Sequence, residues 1–174
     1  MATMFETHRL RVRPFTPDDA AALYQNHLED EVKKWIPNES YKDLEEAQGA
    51  IDFFAACVRN GELPYVLAVI LKETGELIGD TGINEVDGCP GQAEIGYTIC
   101  KKHSGKGLAT ELVPAMIEFV RARFPIQCLQ GRVMKGNAAS VRVLEKNGFL
   151  FLREEQNAED DPYQNGMLVY QKEI

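Results

Sequence analysis

Residues 104–109, Ser-Gly-Lys-Gly-Leu-Ala, decide the fold of this chain because of the segments on either side of them. The preceding residues 93–100, Ala-Glu-Ile-Gly-Tyr-Thr-Ile-Cys, predict a half-buried strand. After the glycines, Leu108, Leu112 and Met116 recur at helical spacing. A strand that runs through a glycine turn into a helix leaves the first N–H groups of that helix unpaired, with the positive end of the helix dipole behind them. The sequence therefore predicts an anion-binding corner at residues 104–109.

The glycines and the lysine of this corner favour a phosphate ligand. Gly105 and Gly107 allow the backbone to approach an anion closely, and Lys106 adds a positive charge. The spacing does not match a P-loop, which needs G-x-x-x-x-G-K-[ST]. It does not match a dinucleotide-binding motif either, because Thr110 stands where the third glycine is required.

A second informative segment is residues 137–149, Asn-Ala-Ala-Ser-Val-Arg-Val-Leu-Glu-Lys-Asn-Gly-Phe. It predicts a short helix that Asn137 caps at its N-terminus and that Gly148 ends before an apolar strand. Leu144 is expected to pack inward. Ser140 lies one turn further along than Asn137, on the same face.

These segments resemble the GNAT N-acetyltransferases, in the branch that includes RimJ and RimL. Residues 104–109 resemble the Q/R-x-x-G-x-G/A loop that binds acetyl-CoA in that family, with Ser104 in place of the usual Gln or Arg. Residues 137–149 resemble the family's N-x-x-S/A-x-x-x-x-E-K-x-G-F helix. Residues 7–15 resemble the ERLxLRP opening of the RimJ/RimL-like branch, and residues 93–97 also resemble it.

The resemblance implies a fold and a co-substrate. The expected fold is α/β: a mixed, mostly antiparallel sheet of about seven strands with helices on both faces, in the order β-α-α-β-β-β-α-β-α-β-β. Residues 1–174 are expected to form a single domain. The expected co-substrate is acetyl-CoA, with its pyrophosphate on the N–H groups of the corner and its pantetheine arm along the strand backbone. The residues expected to bind it are Ile99, Ser104, Gly105, Lys106, Gly107, Leu108, Ala109, Thr110, Asn137 and Ser140.

The expected catalytic residues are Glu94 and Ser140. An amine must be neutral to attack a thioester, so a carboxylate is needed to accept its proton, and relatives often place a glutamate on the strand before the glycine loop. A merely solvated or paired Glu94 is the alternative. Leu144 stands where many relatives carry a tyrosine that protonates the departing thiolate. Either the thiolate leaves unprotonated, or the proton comes from a water, Ser140, Tyr97 or Tyr163.

Composition restricts the partners. The chain has 19 Lys and Arg against 27 Asp and Glu, a formal net charge of −8, which argues against a nucleic-acid surface and favours cationic acceptors. The four cysteines are scattered, without a C-x-x-C pair or a nearby histidine, so no metal site is predicted. Free thiols and the lack of a long apolar segment favour a cytoplasmic protein with no membrane partner.

The expected activity is transfer of an acetyl group from acetyl-CoA to a primary amine by direct attack, without a covalent enzyme intermediate. The acceptor would be a protein N-terminus or a small amine, and the sequence does not choose between them. The chain could act as a homodimer. The alternative function is a non-catalytic acyl-CoA-binding or sensor protein of the same fold, which Ser104, Leu144 and Pro114 favour.

Two further features are expected on the acceptor side. Trp35 lies in a stretch that resembles the variable acceptor-side loop of the family, although packing in the core is the commoner role of a tryptophan. The acidic residues of segment 154–161 are expected either to attract a cationic amine or to form a solvated loop.

Overall fold

The computed structural model describes residues 2–174, which form one eight-stranded sheet and five α-helices. The strands are β1 (Phe5–Glu6), β2 (Leu10–Arg13), β3 (Tyr65–Leu71), β4 (Leu77–Glu85), β5 (Gln92–Ile99), β6 (Cys128–Met134), β7 (Leu150–Glu155) and β8 (Met167–Glu173). The helices are α1 (Ala20–Leu28), α2 (Asp30–Trp35), α3 (Leu44–Asn60), α4 (Leu108–Arg123) and α5 (Ala138–Lys146). None of the helices within residues 2–174 is long and apolar enough to cross a lipid bilayer.

The predicted α/β fold is confirmed, with two short elements added to the predicted order. The expectation of about seven strands misses β1, which is only two residues long and so has no readable periodicity. Its pairing with β2 and the packing of Phe5 on the Phe119 ring, at a centroid distance of 5.1 Å, hold it in the sheet. The second addition is α2, a six-residue helix that begins two residues after the end of α1.

The sheet has the order β1-β2-β3-β4-β5-β6-β8-β7. Every neighbouring pair is antiparallel except β5 and β6, which run parallel. This single parallel pair sits in the middle of the sheet, where β5 enters α4 and β6 enters α5. Both connections therefore leave the sheet on the same side of the molecule as the ends of these two strands.

Helices cover both faces of the sheet, as predicted. Along β3, Leu67 and Val69 belong to one apolar core with residues of α4, whereas Ala68 and Ile70 belong to a second core with residues of α1 and α3. Successive side chains of a strand point to opposite faces, so these two cores lie on opposite sides of the sheet.

The predicted strand, glycine turn and helix are all present. After β5 the chain makes a single turn of 3-10 helix over 101–103, and α4 follows Gly107. Gly107 has a φ of +76°, in the left-handed region where a glycine is unstrained. The helix is anchored by Leu112, Val113 and Met116, which are fully buried, so its N-terminus is held firmly against the ends of β4 and β5.

Candidate active site

The central feature of the sheet is a cleft between β5 and β6. The two strands pair only from Gln92 to Glu94, opposite residues 128–130, whereas β5 continues its pairing with β4 as far as Ile99. Beyond Glu94 the strands separate, and the space between them opens into a cleft with a volume of about 1160 Å³. The cleft is large enough for an extended ligand, and it runs from the acidic centre of the sheet to the N-terminus of α4.

The N-terminus of α4 carries free hydrogen-bond donors at the edge of this cleft. Leu108, Ala109 and Thr110 are the first three residues of the helix and line the cleft. Gly107 precedes them, and no side chain within residues 2–174 caps this helix. By contrast, α3 is capped by Asp43 and α5 by Asn137. The backbone N–H groups of α4 therefore remain available to an anion, as the sequence predicts.

The sequence gives no hint of the side chains that brace this corner. Arg9 on the loop before β2 donates through Nε to Glu111 Oε2 at 2.6 Å and through Nη1 to the Lys106 carbonyl at 3.0 Å. The backbone N–H of Arg9 also donates to Glu111, at 2.8 Å. Arg9 and Glu111 are 102 residues apart in the sequence, so no local pattern could have paired them. The ion pair ties the glycine loop to the opposite end of the chain.

The expected loop residues are not equivalent in the structure. Ser104, Gly105 and Gly107 line the cleft together with the first residues of α4. Lys106 is exposed and does not line the cleft, so its side chain stands apart from the other expected contacts. Two other cations, Arg142 and Lys146 on α5, do line it. They are four residues apart and so share one face of the helix, a relation that the sequence contains.

Ile99 lies on the cleft side of β5. The next residue, Cys100, donates its N–H to the Ile78 carbonyl on the β4 side at 2.7 Å. Because backbone groups alternate in direction along a strand, the N–H and C=O groups of Ile99 point away from β4, toward the cleft. This edge of β5 can form strand-like hydrogen bonds with an extended ligand.

Helix α5 forms the other wall of the cleft. Asn137 caps it as predicted, because its Oδ1 accepts a hydrogen bond from the Ser140 N–H at 3.2 Å. Leu144 is buried, and a Cβ added to Gly131 on β6 would lie only 2.8 Å from its Cδ1. Leu144 therefore packs directly on the strand backbone. Ser140 faces β5, where its Oγ lies 3.1 Å from the Tyr97 hydroxyl.

Glu94 stands where the two strands separate, with its side chain at the cleft. No group within residues 2–174 donates a hydrogen bond to its carboxylate at normal geometry. Burial raises the pKa of Glu94, the positive charge of Arg132 lowers it, and the carboxylates of Asp160 and Glu155 raise it, so that the net pKa lies above the usual value. A half-buried carboxylate with a raised pKa and free lone pairs is suited to accept a proton.

The acidic segment after β7 is partly neutralised. Arg132 on β6 binds Asp160 at 2.6 Å and Glu155 at 2.9 Å. Glu154 pairs with Lys135 at 2.9 Å. Of these groups, Asp160 and Arg132 line the cleft. The expectation that this segment borders the acceptor side is supported for Asp160, while its neighbours are engaged in surface ion pairs.

Trp35 takes the acceptor-side position that the sequence suggests. It lines the cleft from α2, and its ring lies close to the turn between β6 and α5, where a Cβ added to Gly136 would be 3.8 Å from the ring. The indole N–H donates to Glu31 at 3.0 Å. Trp35 therefore closes one side of the cleft and does not belong to either buried core.

A buried His27–Asp80 pair lies beneath the acceptor side and has no sequence signature. His27 is only 2% exposed, and its Nε2 lies 2.7 Å from Asp80 Oδ2, which also accepts a hydrogen bond from Thr98. The His27 Nδ1 lies 2.8 Å from the Glu39 carbonyl and must donate to it, since a carbonyl cannot donate. Burial lowers the pKa of His27, but the hydrogen bond and charge of Asp80 outweigh it and raise the net pKa.

The raised pKa of His27 makes stability depend on pH. The pair contributes fully to the free energy of unfolding below the unfolded-state pKa of about 6.5, and this contribution is lost as the pH rises through the higher folded-state pKa. We therefore expect the parent to lose stability in denaturant titrations between neutral and alkaline pH, and His27→Gln to lack that component. An identical loss in both proteins would contradict the assignment.

Comparisons with known proteins agree with this geometry. A family model described as an acetyltransferase (GNAT) domain matches residues 9–150. The uncharacterized N-acetyltransferase p20 of Bacillus licheniformis is 31% identical to the chain over 149 residues, which cover 86% of this chain and 83% of p20.

Two solved structures share the fold over nearly their whole length. RimL, a ribosomal L7/L12 alpha-N-protein acetyltransferase solved with coenzyme A, gives a TM-score of 0.85 at 18% identity and covers 99% of this chain and 98% of its own. RimJ of Mycobacterium smegmatis, solved with CoA-disulfide, gives a TM-score of 0.84 at 21% identity and covers 100% and 90% respectively.

Proposed function

This chain belongs to the GNAT family of N-acetyltransferases, and from that premise we propose that it transfers an acetyl group from acetyl-CoA to a primary amine. One observation carries the proposal: an uncapped helix N-terminus and a half-buried carboxylate stand at opposite ends of one cleft. The helix N-terminus suits the pyrophosphate of the co-substrate. The carboxylate suits the proton of the attacking amine.

The binding mode follows from the groups along the cleft. The N–H groups of Leu108, Ala109 and Thr110 would bind the pyrophosphate. Arg142 and Lys146 add positive charge on the α5 side, where a phosphate group would be attracted. The pantetheine arm would hydrogen-bond the free backbone edge of β5 at Ile99, since extended amides pair with an exposed strand edge. Asn137 and Ser140 would line the opposite wall.

The acceptor side suits a positively charged amine in its protonated resting form. Carboxylates predominate among the charged side chains lining this half of the cleft, and its two cations, His27 and Arg132, are already paired with Asp80 and Asp160. The carboxylates are Glu31, Glu39, Glu46, Asp80, Glu94 and Asp160. Their combined field would concentrate ammonium groups in the cleft.

In the proposed reaction Glu94 accepts a proton from the ammonium group, directly or through one water. The neutral amine then attacks the thioester carbonyl, whose developing negative charge would be stabilised by backbone N–H groups on β5. The tetrahedral intermediate collapses to the amide with cleavage of the C–S bond. The four free cysteines, Cys57, Cys89, Cys100 and Cys128, agree with a proposed cytoplasmic location.

Coenzyme A and acetyl-CoA should stabilise the folded protein. At a ligand concentration of about 100 times Kd, the gain is about 2.7 kcal/mol, which for this chain length raises the Tm by roughly 5–11 °C. Trp35 is the only tryptophan in the chain and lines the cleft, so its fluorescence should report the same titration. NAD is the matched control, and a Tm rise with NAD but none with coenzyme A would contradict the proposal.

A screen of primary amines by thiol release then separates an enzyme from a sensor. The proposal expects acceptor-dependent release of coenzyme A, from small cationic amines or from peptides with a free N-terminus. Saturable binding of acetyl-CoA with no release in the presence of any amine would instead favour the non-catalytic acyl-CoA-binding protein.

A further inference from the structure

The proposed transfer leaves one proton unassigned. When the tetrahedral intermediate collapses, the C–S bond breaks and coenzyme A departs as a thiolate. A thiol of ordinary acidity can leave without help, but a positioned donor speeds its departure. Leu144 offers no hydroxyl, and it is packed against the backbone of β6. The donor must therefore be sought among the other hydroxyl groups of the cleft.

Most of these hydroxyls are committed elsewhere. Ser40 donates to the His27 carbonyl, Thr98 to Asp80 and Ser104 to the Lys101 carbonyl. The remaining pair is Tyr97 and Ser140, whose oxygens lie 3.1 Å apart and join β5 to α5 across the cleft. Tyr163 is 56% exposed and does not line the cleft.

The position of the pair fits the path of the proposed co-substrate. Tyr97 lies on β5 between Glu94 and the glycine loop, three residues or about 10 Å along the strand from Glu94. Ile95 belongs to the core beneath α4, and Tyr97 packs against that core. Glu94 and Thr98 point to the opposite face, toward α1 and Asp80. The proton acceptor and the hydroxyl pair thus stand on opposite faces of the same strand.

The direction of the hydrogen bond follows from acidity. A phenol is a stronger donor than an aliphatic alcohol, so Tyr97 donates to Ser140 Oγ. The hydroxyl hydrogen of Ser140 is then free to rotate into the cleft. The Ser140 N–H is held by the Asn137 cap, which fixes the first turn of α5 and therefore the position of this serine.

We propose that Ser140 and Tyr97 form a two-residue proton relay for the departing thiolate, an inference that rests on the proposed acetyl transfer. As the C–S bond breaks, Ser140 Oγ gives its hydrogen to the sulfur and takes the Tyr97 hydroxyl hydrogen in the same movement. The tyrosine regains a proton from solvent after the thiol is released. Ser140 is the catalytic residue, and Tyr97 is a positioning residue that acts through it.

The test compares Ser140→Ala, Tyr97→Phe and the double variant by thiol release, with Kd for acetyl-CoA measured from the fluorescence of Trp35. Each single variant should lower kcat by about 10²-fold, the low end for a general acid, because thiolates leave readily. Kd should stay within about threefold of the parent. The double variant should be no slower than Ser140→Ala, because members of a relay act as a unit. Tyr163→Phe is the control and should match the parent.

Three outcomes would overturn the relay. An unchanged kcat in Tyr97→Phe shows that the tyrosine passes no proton. Losses that multiply in the double variant show two independent roles, and a loss confined to Kd shows a structural contact only. If the parent itself transfers no acetyl group to any amine, the proposed function fails and the relay fails with it. A parent that turns over beside an unimpaired Tyr97→Phe overturns the relay alone.

Discussion

Replacing Glu94 with glutamine should lower kcat by about 10²–10⁴-fold, the range lost when a general base is removed. Glutamine keeps the shape of the side chain but cannot accept a proton at neutral pH. The affinity for acetyl-CoA should change little, because Glu94 lies at the far end of the cleft from the α4 N-terminus. The measurement is steady-state thiol release together with a binding titration.

The pH profile sharpens this prediction. Burial raises the pKa of Glu94, so the parent should lose activity as the pH falls through that raised pKa, where the carboxylate becomes protonated and can no longer act as a base. Glu94→Gln should lack this acid limb and should recover at high pH, where more free amine is present. Glu85→Gln, on the exposed end of β4, is the matched control. Equal rates for parent and Glu94→Gln would make Glu94 purely structural.

Protein stability provides the folding control for Glu94→Gln. A glutamate whose pKa is raised by folding opposes folding at neutral pH, because the unfolded chain ionises more readily. The variant should therefore unfold at the same denaturant concentration as the parent or a higher one at pH 7. Lost activity in a protein that is at least as stable cannot be ascribed to misfolding.

Replacing Gly107 with aspartate should weaken binding of coenzyme A by more than about 100-fold. The new carboxylate would stand at the N-terminus of α4 and repel the pyrophosphate. An added Cβ would come no closer than 3.8 Å to Arg9 Nη2, so the fold has room for it, although a φ of +76° adds strain. Calorimetric titration with coenzyme A measures the loss.

Gly107→Asn separates charge from shape in this experiment. Asparagine has nearly the same size as aspartate and tolerates the left-handed conformation. It should bind coenzyme A more weakly than the parent and clearly more tightly than Gly107→Asp. Normal binding by Gly107→Asp would mean that the phosphate groups lie elsewhere. Equal losses in the two variants would mean that the backbone conformation, and not charge, accounts for the effect.

The sequence predicts the features that depend on local patterns. The strand over 93–100, the glycine turn, and the caps of α3 and α5 follow from spacing and from residue type, and the structure has them. Short elements escape this reasoning. β1 exists because it pairs with β2, and α2 is too short for a helical period to be recognised.

The parts of the candidate site that sequence reasoning missed are long-range pairs. His27 and Asp80 are 53 residues apart, Arg9 and Glu111 are 102 apart, and neither pair has a motif. The pairing of Tyr97 with Ser140 depends on how far β5 and β6 separate, which single-strand patterns do not encode. Lys106 shows the opposite error, since a lysine inside a phosphate-type motif points away from the cleft.

The most direct test of the central claim uses acetyl-CoA labelled in the acetyl group and a panel of primary amines, including a peptide with a free N-terminus. The proposed function predicts that label appears in the amine as an amide, in one-to-one ratio with released coenzyme A, and that Glu94→Gln loses nearly all of this transfer. Binding of acetyl-CoA without label in any amine, or thiol release that yields only free acetate, would contradict it.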